Sequence, residues 1–253
     1  MSDFNRNVTA RGGFADRTAA VDAGLRTYML RVYNYMGAAV ALTGVVAWLC
    51  FQNAVVTNEA GAITGLTSFG QMILGGYTPI ILMLATLGLV FFISFRIHTL
   101  QYTTALALFM VYAALLGAAL TSIFVAYTGA SVARVFFISA ASFGALSLYG
   151  YTTQRDLSAM GSFLIMGLFG IIIASLVNIF LKSSGLDWII SVAGVGIFAG
   201  LTAYDTQMLK SMFLQGAYTR EEGEKLAING ALTLYLDFIN LFIMLLQLLG
   251  DRR

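Results

Sequence analysis

Two acids stand deep inside apolar stretches near the end of the chain. Asp205 lies in Trp188-IISVAGVGIFAGLTAYDTQML and Asp237 in Ala227-INGALTLYLDFINLFIMLLQLLG. A carboxyl group in a membrane-crossing helix is costly, so it normally faces protein or water and marks an ion or proton path. Two of them on consecutive segments could share one proton or hold a cation between them. At about 5 Å separation two ionised carboxylates repel by roughly 3 kcal/mol at an effective dielectric near 20, and burial adds to the cost of charge. The expectation is one proton held jointly by the pair, exchanged within a few units of neutral pH, so that the site senses or gates by protonation. The bland alternative is a buried hydrogen bond that only fixes helix packing.

A cation could replace that proton, with Asp205 and Asp237 as its ligands. Calcium takes six to eight oxygens, and two carboxylates supply at most four. Thr233 and Asn240 stand four residues before and three after Asp237, on the same helical face. Tyr204, Thr206 and Gln207 flank Asp205. Tyr204, Thr233 and Asn240 are the candidate supporting oxygens, although the chain has no calcium-loop motif. Arg96 closes the second apolar stretch and is a candidate latch onto Asp205, with plain anchoring at the membrane edge as the alternative. His98, the sole histidine, reads as a surface residue in a short loop, and Asp156 in Arg155-Asp156-Leu157-Ser158 as a helix cap. Cys50 is the only cysteine, so no intrachain disulfide can form.

The elements that must carry these groups follow from composition. Of the 253 residues 59% are hydrophobic and 10% charged, with a mean hydropathy of +0.83. Soluble domains carry about 25% charged residues, so the chain is an integral membrane protein. Seven segments approach the roughly 20 apolar residues a span needs. They run Asn34 to Phe51, Tyr77 to Phe95, Thr103 to Ala126, Val132 to Tyr151, Ser162 to Leu181, Trp188 to Leu209 and Leu226 to Leu249. The fold class is all-α, a polytopic membrane helix bundle. Residues 1–33 form a polar tail with Arg6, Arg11, Arg17, Arg26 and Arg31, and residues 34–253 the seven-span domain. Val21, Leu25, Tyr28, Met29 and Val32 recur at helical spacing, which predicts an amphipathic helix lying on the membrane surface. With the N-terminus in the cytoplasm, ten Lys and Arg fall on that side and four (Arg134, Lys182, Arg252, Arg253) on the other, as the positive-inside rule prefers. Thr219-RE-Glu222 has capping-box spacing ahead of the last span. Gly196 with Gly200, Gly170 with Ala174 and Ala114 with Ala118 have the spacing that lets helices approach closely in lipid.

Ala203-YDTQ, Leu234-YLDFINLFIMLLQLLG and Gly150-YTTQRDLSAMGSFLIMGL resemble the Bax-inhibitor-motif family of seven-span membrane proteins, in its bacterial branch. The resemblance implies six helices around a central seventh, a pH-sensitive calcium leak, and Asp205 with Asp237 at the family's di-aspartyl pH sensor. It places Arg96 near the latch arginine, and the protein in a bacterial inner membrane. Some relatives carry a glutamate earlier in the second span, where Leu82-MLATLGLV has no acid. An intramembrane aspartyl protease would need Gly-x-Gly-Asp and a later Pro-Ala-Leu, and no proline follows Pro79. The expectation is therefore a non-enzyme with no cofactor other than calcium as bound or carried ion. Its expected partners are lipid, protons and calcium. Nucleic acid is not among them, since the basic residues form no cluster beyond the tail. The competing reading is a non-conducting regulator whose arginine-rich tail is the handle for a membrane protease or quality-control complex.

Overall fold

The computed structural model describes residues 3–58, 62–97, 99–216 and 218–253, with side chains described from Val21 onward apart from residue 220. His98 and the side chains of Arg6, Arg11, Arg17 and Arg220 thus lie outside the described residues. In chain order the elements are α1 (Asp3–Ala54), β1 (Val55–Thr57), β2 (Ile63–Leu66), α2 (Ser68–Leu74), α3 (Thr78–Arg96), α4 (Tyr102–Ala119), α5 (Thr121–Ala126), α6 (Gly129–Thr152), α7 (Ser158–Leu181), α8 (Ser184–Gln215) and α9 (Arg220–Leu249). Among the described residues seven helical stretches are long and apolar enough to cross a membrane, with α4 and α5 together making one of them. Lipid leaves no water to satisfy backbone polar groups, so each such stretch closes its own hydrogen bonds as a helix.

Helix ends follow local chemistry. Pro79 stands in the first turn of α3, where a missing N–H costs little. Lys182 ends α7 in the left-handed region, at φ 50. The capping box is present at α9: Thr219 accepts from the Glu222 N–H, and the Glu222 carboxylate accepts from the Thr219 N–H at 2.9 Å. Between the first two spans the chain builds an antiparallel hairpin, pairing Val55 with Leu66 and Val56 with Gly65, followed by the short α2.

The last helix is the centre of the bundle. α9 packs against α8, α1, α6 and α4, while α3 lies chiefly on α4 and α7 on α8. Half of its most apolar window is buried, the largest share among the seven spans. Tyr235 is the largest fully buried side chain, edge-on to Phe109 and Tyr112 with ring centroids at 5.6 and 5.8 Å. Its hydroxyl meets the Thr43 hydroxyl at 2.7 Å, and Thr43 also reaches the Ala113 carbonyl at 2.9 Å, which ties α9, α1 and α4 together.

α1 runs on through residue 33 without interruption. Of the stripe Val21, Leu25, Tyr28, Met29 and Val32, the last four are buried against protein, with Tyr28 stacked on Phe213 at 4.9 Å, while Val21 is exposed. The physical reason is that α8 and α9 both extend beyond their apolar cores, giving α1 a protein wall, to which Arg31 adds an ion pair with Glu224 at 3.4 Å.

The opposite end is clamped. After α9, Asp251 donates its N–H to Ser131 (2.8 Å), Thr128 donates to the Asp251 carbonyl (3.1 Å) and Arg253 donates to the Ala126 carbonyl (3.0 Å). Arg252 bridges Tyr127 in β fashion and reaches Asp187 at 4.0 Å, while the Arg253 guanidinium lies 5.5 Å over the Phe51 ring.

Candidate functional site

α8 and α9 run antiparallel, and three close contacts set their register. Leu209 packs on Gly230, Met244 on Gly194, and Ser191 donates to Gln247 at 2.7 Å. In that register Asp205 and Asp237 stand about one turn apart along the axis, roughly 5 Å. Their carboxyls lie within hydrogen-bonding reach of one another. Both acids are buried, and the second oxygen of Asp237, Oδ2, is sealed with no partner. α8 continues to Gln215, which places Asp205 about 15 Å inside the helix end. The two residues therefore stand close together, well inside both helices.

Close approach at two glycines seats α6 and α7 against α8 next to Asp205. Gly150 of α6 lies against the carbonyl of Ala203, and Gly161 of α7 against the Tyr204 ring. A hydroxyl chain joins three helices beside the pair: Tyr33 to Ser147, Ser147 to Thr206 at 2.9 Å, and Thr206 back to the Thr202 carbonyl at 2.8 Å. Ser147, Thr202 and Thr206 are buried. Toward the face that carries the α8–α9 connection, a cavity of about 470 Å³ is lined by Ile97, Met212, Glu221, Lys225 and Asn229. Asn229 is eight residues before Asp237, about 12 Å along the helix. Leu209 on Gly230, with Leu232 buried nearby on α9, makes an apolar layer between that cavity and the acids.

The other sequence candidates are placed differently. Tyr204 turns toward α7, because Gly161 leaves room for its ring there, so it is not an oxygen for the pair. Thr233 and Asn240 share a face with Asp237 but bond their own helix, Thr233 to the Asn229 carbonyl at 3.2 Å and Asn240 to the Leu236 carbonyl at 2.8 Å. Such local back-bonding competes with reaching across to a neighbour. Arg96 ends α3 exposed and, among the described residues, makes no ion pair, so the contact to Asp205 expected from the sequence is not formed. α3 lies on α4 rather than beside α8, which accounts for the separation. Among the described residues no third His, Cys, Asp or Glu joins the pair into a metal-sized cluster.

Two polar residues take on structural work beside the site. Gln207 accepts from the Leu157 N–H at 2.9 Å and donates to the Arg155 carbonyl at 2.8 Å, pinning the turn between α6 and α7. Lys210 donates to the Tyr151 carbonyl at 2.8 Å and lies over the Tyr151 ring, finishing α6. In that turn the Asp156 carboxylate accepts from the Ser158 N–H at 2.9 Å, and the Ser158 side chain and backbone together hold it below the usual carboxylate range. Polar side chains one turn apart inside an apolar run (Thr202, Thr206, Lys210) were the available signal for this face. Gln207→Leu strands the two backbone groups and is expected to cost about 1–2 kcal/mol; thermal unfolding in detergent measures it, and an unchanged Tm contradicts it.

A bundle of seven apolar helices around a buried acid pair defines an integral multi-pass membrane protein. Residues 25–253 match the family model Bax1-I, described as inhibitor of apoptosis-promoting Bax1, and the chain belongs to that family. It is 48% identical over 258 residues to uncharacterized protein RP147 of Rickettsia prowazekii, covering all of both chains. It is 48% identical over 233 residues to the inner membrane protein YbhL of Escherichia coli K12, covering 91% of this chain and 94% of YbhL. An uncharacterized membrane protein of Streptococcus pyogenes, SpyM3_0260, is 35% identical over 235 residues, covering 90% and 94%.

Proposed function

We propose that the chain is a pH-sensitive cation leak, with calcium as the ion, in which the Asp205–Asp237 pair is the switch. It sits in a bacterial inner membrane with its N-terminus in the cytoplasm, the orientation that Lys and Arg placement favours. The observation that carries the reading is two buried carboxyls facing one another on the two best-enclosed helices. A proton shared in so dry a place is lost only if water or a cation compensates, so protonation couples to the state of the bundle. When the pair loses its proton, Arg96 closes on Asp205 and the mouth beside α3 shuts; protonation releases it. The apolar layer at Leu209 supports a second reading, a sensor and regulator that does not conduct.

Reconstitution into dye-loaded liposomes between pH 5 and 8 separates the two. The leak is expected to be larger at pH 5 than at pH 8. Asp205→Asn and Asp237→Asn, which cannot ionise, should leak at pH 8 as the wild type does at pH 5. Equal leak by all three at every pH removes the switch, and no leak above empty liposomes leaves the regulator.

A further inference from the structure

α1 and α6 both pack on α9, yet their N-terminal-face halves stand apart and leave a lateral groove of about 470 Å³. The groove runs from Arg26 to Tyr33 on one wall and from Phe143 to Tyr151 on the other, roughly 10–12 Å along the helices. Its walls are apolar, with Met29, Leu30, Phe143 and Leu148 among them. Gly144 opens it further: a Cβ placed there would meet no heavy atom within 4 Å. At the mouth stands Arg26, which is exposed and, among the described residues, has no acidic partner. A second cation, Lys210, lies 5.2 Å over the ring of Tyr151 at the same end.

We infer that this groove holds one phospholipid with an anionic headgroup from the leaflet on the N-terminal face. The chain would lie along Leu30, Phe143 and Leu148, and the phosphate would meet Arg26. A basic residue heading an apolar slot between membrane helices is matched in charge and shape by such a lipid. A free anion would gain nothing from the apolar walls, and a peptide would bring main-chain groups that this groove does not answer. The floor carries Tyr33 and Ser147, the outer links of the hydroxyl chain that ends at Thr206 beside Asp205. The occupant therefore sits at the outer end of a hydroxyl chain that reaches α8 at Thr206, the residue after Asp205.

Native mass spectrometry of the full chain, released from detergent with phosphatidylglycerol or phosphatidylcholine, tests this without reference to ion flux. The wild type is expected to retain one phosphatidylglycerol in preference to phosphatidylcholine. Arg26→Gln should weaken that preference about fivefold, the usual worth of one basic residue at an anionic surface. Gly144→Leu, which fills the slot, should lose retention of both lipids; Lys182→Gln, which removes an exposed cation at the end of α7, should leave retention as in the wild type. Wild-type retention in Arg26→Gln, or an equal loss in Lys182→Gln, overturns the proposal. Arg26 is exposed and its replacement does not threaten folding, so it decides the matter even if Gly144→Leu does not fold.

Discussion

Gly150→Leu is expected to yield no folded protein. A Cβ at position 150 would run into the carbonyl, carbonyl carbon and Cα of Ala203, all of them backbone atoms of α8. No rotamer change relieves such a clash; α6 and α8 must part. Overpacking against side chains costs about 1–3 kcal/mol, and against helix backbone the cost exceeds that. The separation would begin two residues from Asp205, next to the Ser147–Thr206 hydrogen bond. Loss of the monodisperse peak in size-exclusion chromatography is the readout, with Gly150→Ala as the milder arm. A Gly150→Leu protein that elutes and melts like the wild type would show that the close approach is dispensable.

The second large effect belongs to Tyr235→Ala. The ring is fully enclosed, packs edge-on against two aromatic rings and carries a hydrogen bond to Thr43. Deleting a buried aromatic from a core costs about 3–5 kcal/mol in water-soluble proteins. Here lipid replaces water as the surrounding solvent, so packing loss rather than transfer dominates, and about 3 kcal/mol is expected. Tyr235→Phe keeps the ring and should cost about 1 kcal/mol, the net worth of one hydrogen bond. Unfolding midpoints of the two variants in mixed micelles give the comparison; equal losses would assign the effect to the hydroxyl alone.

What could be read from the chain and what could not divides along a physical line. Spans are long apolar runs, so their number and approximate limits follow from composition. Thr219 and Glu222 act within four residues of each other, so their capping box was equally plain. The acid pair was legible because a charged group in such a run has few tolerable surroundings. Which face of a helix meets which neighbour is a property of the assembled bundle, and there the pattern misled. Tyr204 precedes Asp205 directly but points to Gly161, and the Leu25-to-Val32 stripe is equally suited to lipid surface or protein wall. Small-residue spacing behaved the same way. Gly200 receives Leu164 and Gly117 receives Thr43 and Val46, whereas Gly196 and Gly170 face open space. The hairpin and α2 were missed because a short amphipathic loop outside the spans carries no hydropathy signal. The break at Leu120 splits a run that composition reads as one span.

The bridge that holds the end of α9 bears on how the protein can be handled. Residue 253 is engaged through its backbone to Ala126 and through its guanidinium to Phe51, so a reporter or affinity sequence spliced on after it pulls directly at that seam. Enzyme fusions at this end, the customary way to find on which side of a membrane a chain stops, would interrogate a molecule whose central post has been loosened. Cysteine labelling at an exposed loop position leaves the seam whole and gives the cleaner answer.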